Sequence, residues 1–154
     1  MTNNPLKEIG TAIGVGILAG LAGTAAITIS QMIEMKITKR KGSDSPTKAV
    51  SKVLDVKPVN KDKKPKVIQE IHWTYGTSWG VPRGLISLAG LKGLPATAVH
   101  FASVWGTELL MLPSLDVAPP VQEQEPKTIA IDAMHHAVYA IATGLVYDAI
   151  MEKD

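Results

Sequence analysis

The chain of 154 residues has the length of a single domain, and it is apolar but poor in aromatic side chains, with 45% apolar residues and only 5% Phe, Trp or Tyr. The absence of cysteine excludes disulfide bonds, thiolate metal ligands and a cysteine nucleophile. A net charge of +2 conceals an uneven distribution of basic residues. Thirteen glycines with so few aromatics favour close helix packing in lipid over the core of a soluble protein.

The first apolar segment, residues 9–33, is a run of 25 residues without a charge. At about 1.5 Å per residue, a helix of this length crosses a hydrocarbon core of about 30 Å. The run is too long for the apolar part of a signal peptide, so we expect a membrane span over about 9–34 and no cleavage. Small residues four positions apart let a second helix approach closely. Two such pairs occur here: Gly10 with Gly14, and Gly16 with Gly20.

Residues 36–66 are strongly basic and hold 11 of the 16 Lys and Arg residues. Ser45 followed by Pro46 is typical of a helix start, with an N-cap and a proline in the first turn. Apolar side chains then fall on one helical face: Ala49, Val50, Val53 and Leu54. This pattern predicts a short amphipathic helix at the membrane surface. We interpret the whole segment as a cytoplasmic loop that obeys the positive-inside rule, and not as a nucleic-acid-binding arm.

Two further apolar segments, residues 67–91 and 94–112, are each interrupted by polar side chains at helical spacing. The first contains His72 and Arg83, and the second contains Glu108 on a polar face. Helices of this kind hide the polar face against other helices and present the apolar face to lipid. We therefore predict the second and third spans here.

The fourth predicted span covers about 128–150. Its polar residues recur every three or four positions and share one face, with His135 at the edge. They are Asp132, His136, Tyr139, Thr143 and Tyr147. A His-x-x-Tyr element occurs here, at His136, and also in the second span, at His72, which suggests two repeated helical hairpins.

The sequence thus predicts one all-α membrane domain over residues 1–154, with four transmembrane helices and one interfacial helix. The first loop (residues 36–66) carries 11 basic residues, and the third loop, between the third and fourth spans, adds Lys127. The opposite side of the membrane has only Lys7, Lys92 and Lys153. The positive-inside rule then places loops 1 and 3 in the cytoplasm and both termini outside.

Several short segments resemble a known family. They are Gly20-Leu-Ala-Gly-Thr-Ala-Ala, His72-x-x-Tyr75-Gly76, Arg83-Gly84-Leu85, Ala118-Pro119-Pro120 and the stretch from Asp132 to Gly144. These segments resemble the YagU-like family of small, uncharacterised bacterial integral membrane proteins. The resemblance implies a four-span protein of the bacterial inner membrane and implies no established chemistry. The lysine-rich loop and His100 have no counterpart in that pattern.

Arg83 is the ionisable residue whose environment the sequence constrains most. An arginine cannot lose its proton in a membrane, so it needs acceptors. Matching the two His-x-x-Tyr elements sets an offset of 64 residues between the second and fourth spans, which brings Arg83 close to Asp148. We predict a structural ion pair between Arg83 and Asp148, or bonds from Arg83 to backbone carbonyls freed by Pro82.

The remaining histidines and carboxylates form an inner group for which three interpretations stay open. They hydrogen-bond one another as structural contacts, they hold a cofactor, or they form a proton or ion pathway. In the cofactor case, His72 and His136 would bind a haem from two sides. A metal would instead use a set that partly resembles a four-helix di-iron site: Glu34, Glu108, Asp132 and His135. The second span offers Glu70-x-His72, which has the wrong spacing for that site, and we expect structural contacts without a cofactor.

Evidence for an enzyme is weak. The sequence has no Gly-x-Ser-x-Gly element, and the glycine-rich stretch from Gly14 to Gly20 lacks both the spacing and the preceding strand of a dinucleotide site. We therefore predict a non-enzymatic structural or accessory subunit. It would lie in the lipid bilayer and pack against a larger membrane protein or against copies of itself.

Overall fold

A computed structural model of the chain describes residues 4–40, 45–53 and 64–152. In these residues the regular structure is helical, which confirms the all-α prediction. The elements are α1 (Pro5–Thr38), α2 (Ser45–Val53), α3 (Lys64–Ser78), α4 (Gly80–Leu88), α5 (Gly93–Ser114), a 3-10 turn (Val121–Glu123) and α6 (Pro126–Met151). Parts of the predicted basic loop, including Leu54, lie outside the described residues.

Two of the described helices, α1 and α6, are long and apolar enough to cross a membrane. Length and composition therefore support two spans, where the sequence pattern predicted four. Helix α5 carries His100 and Glu108, and the segment predicted as the second span is divided into α3 and α4 at Trp79. The division has a local cause, because Pro82 has no N–H to donate to the carbonyl of Ser78.

Helix α1 is the centre of the packing and contacts α3, α4 and α6, while α5 packs mainly on α6. Glycines make the contact between α1 and α4 close. A Cβ built on Gly20 would lie 2.9 Å from Gly80 Cα, and one built on Gly84 would meet the backbone of Ala12. By contrast, a Cβ on Gly10 or Gly14 would meet nothing within 4 Å. Among the described residues, Gly16 and Gly20 contact another helix closely, whereas the predicted pair Gly10 and Gly14 does not.

The predicted amphipathic helix is present as α2, which starts at Ser45 as expected. It packs against α3 and against the connection between α5 and α6. There Lys52 donates to the carbonyl of Leu115, and its Nζ lies 3.7 Å from the Asp116 carboxylate. Helix α2 therefore lies at the end of the bundle where α1 ends and α6 begins.

The interior of the bundle contains large polar side chains among apolar ones, and many large apolar side chains lie on its surface. The largest fully buried side chains are Arg83, Tyr147, His100, His135, Thr24 and Thr143. Large apolar side chains are exposed on every long helix, for example Ile29, Leu94 and Leu145, of which Leu145 is 68% exposed. Arg83 and Tyr139 point into the bundle, as predicted for the polar faces of their helices, and Leu145 lies on the exposed face of α6.

Candidate functional site

Three ionisable side chains of α5 and α6 meet in what we call the carboxylate–histidine cluster: Glu108, Asp132 and His136. Asp132 and His136 are four residues apart on α6, so they share one face of that helix. Glu108 faces them from α5, with its Oε2 2.6 Å from His136 Nε2. Each of the three residues offers one possible metal-ligand atom, and within the described residues these atoms all lie within 4.8 Å of one another.

Hydrogen bonds orient two members of the cluster. Trp105 Nε1–H donates to Asp132 Oδ2 at 2.8 Å. His136 Nδ1 lies 2.9 Å from the backbone carbonyl oxygen of Asp132. Because a carbonyl oxygen only accepts, His136 Nδ1 carries a hydrogen, and Nε2 is the ring nitrogen that faces Glu108. A separation of 2.6 Å between His136 Nε2 and Glu108 Oε2 requires a cation between these two atoms, either a proton or a metal ion.

The cluster lies near one end of the bundle and is partly open. Glu108 is six residues before the end of α5, and Asp132 is six residues after the start of α6, so each lies about 9 Å from its helix end. The exposed fractions of the side chains are 27% for Glu108, 35% for Asp132 and 12% for His136. The cluster is therefore partly exposed and lies toward the end of the bundle that carries the α5–α6 connection.

Glu34 and His135, which the sequence placed with Glu108 and Asp132, belong to a separate cluster against α1. Glu34 is largely buried and accepts hydrogen bonds from Arg40 at 2.8 Å and from Thr38 at 2.9 Å. His135 Nδ1 lies 2.8 Å from Ser30 Oγ, and its Nε2 lies 3.8 Å from Glu34 Oε2. The structure thus brings together Glu108 and Asp132 with His136 in place of His135.

His72 makes a helix–helix hydrogen bond with Thr28 of α1. The Thr28 hydroxyl donates to the carbonyl of Thr24 at 2.6 Å, so its oxygen is the acceptor for His72 Nε2–H at 2.9 Å. The haem hypothesis would use a ring nitrogen of His72 and one of His136. Nε2 of His72 is hydrogen-bonded to Thr28, whereas Nε2 of His136 faces the Glu108 carboxylate, so the contacts of the two rings differ.

Arg83 is fully buried and contacts the carboxylate of Asp148, a side chain that is 26% exposed. Its guanidinium carbon also lies 4.6 Å from the centre of the Tyr147 ring, a cation–π arrangement. Among the described residues, Arg83 Nε and Nη1 have no hydrogen-bond partner. Nearby, His100 Nε2–H donates to the carbonyl of Trp79 at 2.8 Å, which satisfies a backbone acceptor at the α3–α4 break.

Sequence reasoning missed Trp105 and the roles of Tyr147 and His100. Trp105 lies three residues before Glu108, so the shared helical face was a usable signal for its bond to Asp132. The comparisons with known proteins add no assignment, because no family model, curated protein or solved structure matches this chain. Functional proposals therefore rest on the residues described above.

Proposed function

We propose that this chain is a YagU-like protein of the bacterial inner membrane, with α1, α3–α4, α5 and α6 as four spans and α2 at the surface. The inverted distribution of side chains supports this proposal. Arg83, His100 and His135 are almost completely buried, whereas Leu94 and Leu145 are 83% and 68% exposed. In water such a surface is unfavourable, but in lipid it is the preferred one, because polar groups must find their partners inside the bundle.

The polar side chains of α4 and α5 are compatible with spans because neighbouring helices cover them. Arg83 is buried within the bundle, and Glu108 and Trp105 make their polar contacts with α6. Helix α5 has 22 residues, which corresponds to about 33 Å, against a hydrocarbon core of about 30 Å. Residues 64–88 of α3 and α4 are longer still.

Cysteine labelling tests this arrangement without background, since the natural chain has no cysteine. We expect Leu145→Cys, on the exposed apolar face of α6 and six residues before its end, to resist a membrane-impermeant maleimide in native membranes and to react after denaturation in SDS. Glu123→Cys, in the α5–α6 connection, is the exposed control and should react in opened membranes. Equal labelling of both positions in opened native membranes would show that Leu145 faces water, and it would reject the four-span arrangement.

The same labelling reagents show which side of the membrane each loop faces. Positive-inside places the α5–α6 connection in the cytoplasm, so Glu123→Cys should react in inverted vesicles and stay unlabelled in right-side-out vesicles. Lys92→Cys, in the turn between α4 and α5, should show the opposite pattern. Labelling of Glu123→Cys from the outside would reverse the proposed topology.

Within this arrangement we propose a structural or accessory role, packing against another membrane protein or a second copy. The support is glycine surface that the described part of the chain leaves uncovered: a Cβ on Gly10, Gly14 or Gly106 would meet none of its atoms within 4 Å. We expect blue-native electrophoresis in a mild detergent to show a species larger than the monomer. Gly14→Leu should reduce it and Leu145→Ala should not. A monomer from native membranes would contradict the accessory role.

A further inference from the structure

We infer that the carboxylate–histidine cluster binds one first-row divalent transition-metal ion through Glu108, Asp132 and His136 Nε2. This site goes beyond the proposed packing role and does not depend on it, because all three ligands come from α5 and α6 of a single chain.

Geometry is the first argument. Divalent first-row ions bind imidazole nitrogen and carboxylate oxygen at about 2.0–2.2 Å, which separates neighbouring ligand atoms by about 3–4 Å. The ligand atoms of the cluster lie within 4.8 Å of one another, with 2.6 Å between Glu108 Oε2 and His136 Nε2. Small rotations of the Glu108 and Asp132 side chains, both partly exposed, are enough to place all three around one ion.

The contacts behind the ligands form the second argument. A metal-binding histidine usually donates its other ring N–H to a carbonyl or carboxylate, which sets the tautomer and the direction of the ring. His136 does so through Nδ1–H and the Asp132 carbonyl, 2.9 Å apart. Trp105 holds the Asp132 carboxylate in the same way at 2.8 Å. Nε2 then faces Glu108, and a metal ion would take the place of the proton between these two atoms.

The donor set identifies the class of ion. One imidazole with two carboxylates suits manganese, iron or zinc in the divalent state, whereas magnesium and calcium prefer all-oxygen ligands. Three protein ligands leave positions for water. Because the cluster is about 9 Å from the helix ends and partly exposed, an ion reaches it from one aqueous side without crossing the bundle.

Cobalt(II) is the probe, because its visible absorption reports its ligands. Protein purified in detergent, with any tag removed and stripped by a chelator, is titrated with Co²⁺, and Zn²⁺ is then added in competition. We expect one Co²⁺ per chain, visible bands that Zn²⁺ abolishes, and a loss of affinity of more than roughly 100-fold in Glu108→Gln and in His136→Gln. Trp105→Phe, which removes only a supporting bond, should weaken binding about 10–100-fold.

Glu34→Gln is the matched control, since it makes the same chemical change in the neighbouring cluster. It should leave the Kd within about twofold of wild type, and circular dichroism should show that each variant keeps its helical content. Absence of Co²⁺ bands in the folded wild-type protein would overturn the site. So would an equal loss of affinity in Glu34→Gln. Either result leaves the cysteine-labelling test of the four-span arrangement unaffected, so the two proposals fail separately.

Discussion

Arg83→Ala is expected to destabilise the bundle by about 3 kcal/mol, near the lower end of the range for breaking a buried ion pair because Asp148 is partly exposed. The substitution leaves the Asp148 carboxylate without its cation and removes the stacking of Arg83 on Tyr147. Thermal unfolding of the purified protein in detergent, followed by circular dichroism, measures the loss.

A double-mutant cycle separates the pair from the packing. Arg83→Ala with Asp148→Ala should be more stable than the sum of the two single losses predicts, by about 1 kcal/mol or more. Lys66→Ala is the control, since its pair with Glu70 is exposed and 3.8 Å long, and it should change stability by less than about 0.5 kcal/mol. Strictly additive losses at Arg83 and Asp148 would show that the two side chains do not stabilise each other.

Gly80→Val is expected to have the second large effect, a loss of about 1–3 kcal/mol or more from overpacking. A Cβ on Gly80 would lie 2.7 Å from Gly20 Cα and would also meet the Gly16 carbonyl. Both neighbours are backbone, so the new side chain fits only if α4 moves away from α1. The same thermal unfolding experiment measures the change.

Gly14→Val provides the matched control, at an exposed position of α1 that contacts none of the other described helices. A Cβ there meets nothing within 4 Å, and valine is a slightly better helix former than glycine. The stability of the detergent-solubilised monomer should therefore stay within about 0.5 kcal/mol of wild type. A loss as large as that of Gly80→Val would mean that α1 and α4 do not meet through their glycines.

Local sequence determined where most of the helices lie, although not the division of the predicted second span into α3 and α4. The charge-free run in α1 and the start of α2 at Ser45 depend on residues that are neighbours in the chain, so periodicity and helix-start signals located them. The fourth span was predicted from about residue 128, two residues after the start of α6 at Pro126. The offset between the two His-x-x-Tyr elements also brought Arg83 and Asp148 to one depth, and the structure places their side chains in contact.

The tertiary structure decided which polar residues meet. His135 and His136 are adjacent in sequence, yet His135 lies against Ser30 and Glu34 of α1, and His136 lies against Glu108 of α5. Neighbouring residues on a helix differ by about 100° in direction. The rotation of α6 about its own axis therefore selects between them, and packing against α1 and α5 sets that rotation. Local periodicity shows that a polar face exists but does not show which neighbouring helix each of its residues contacts.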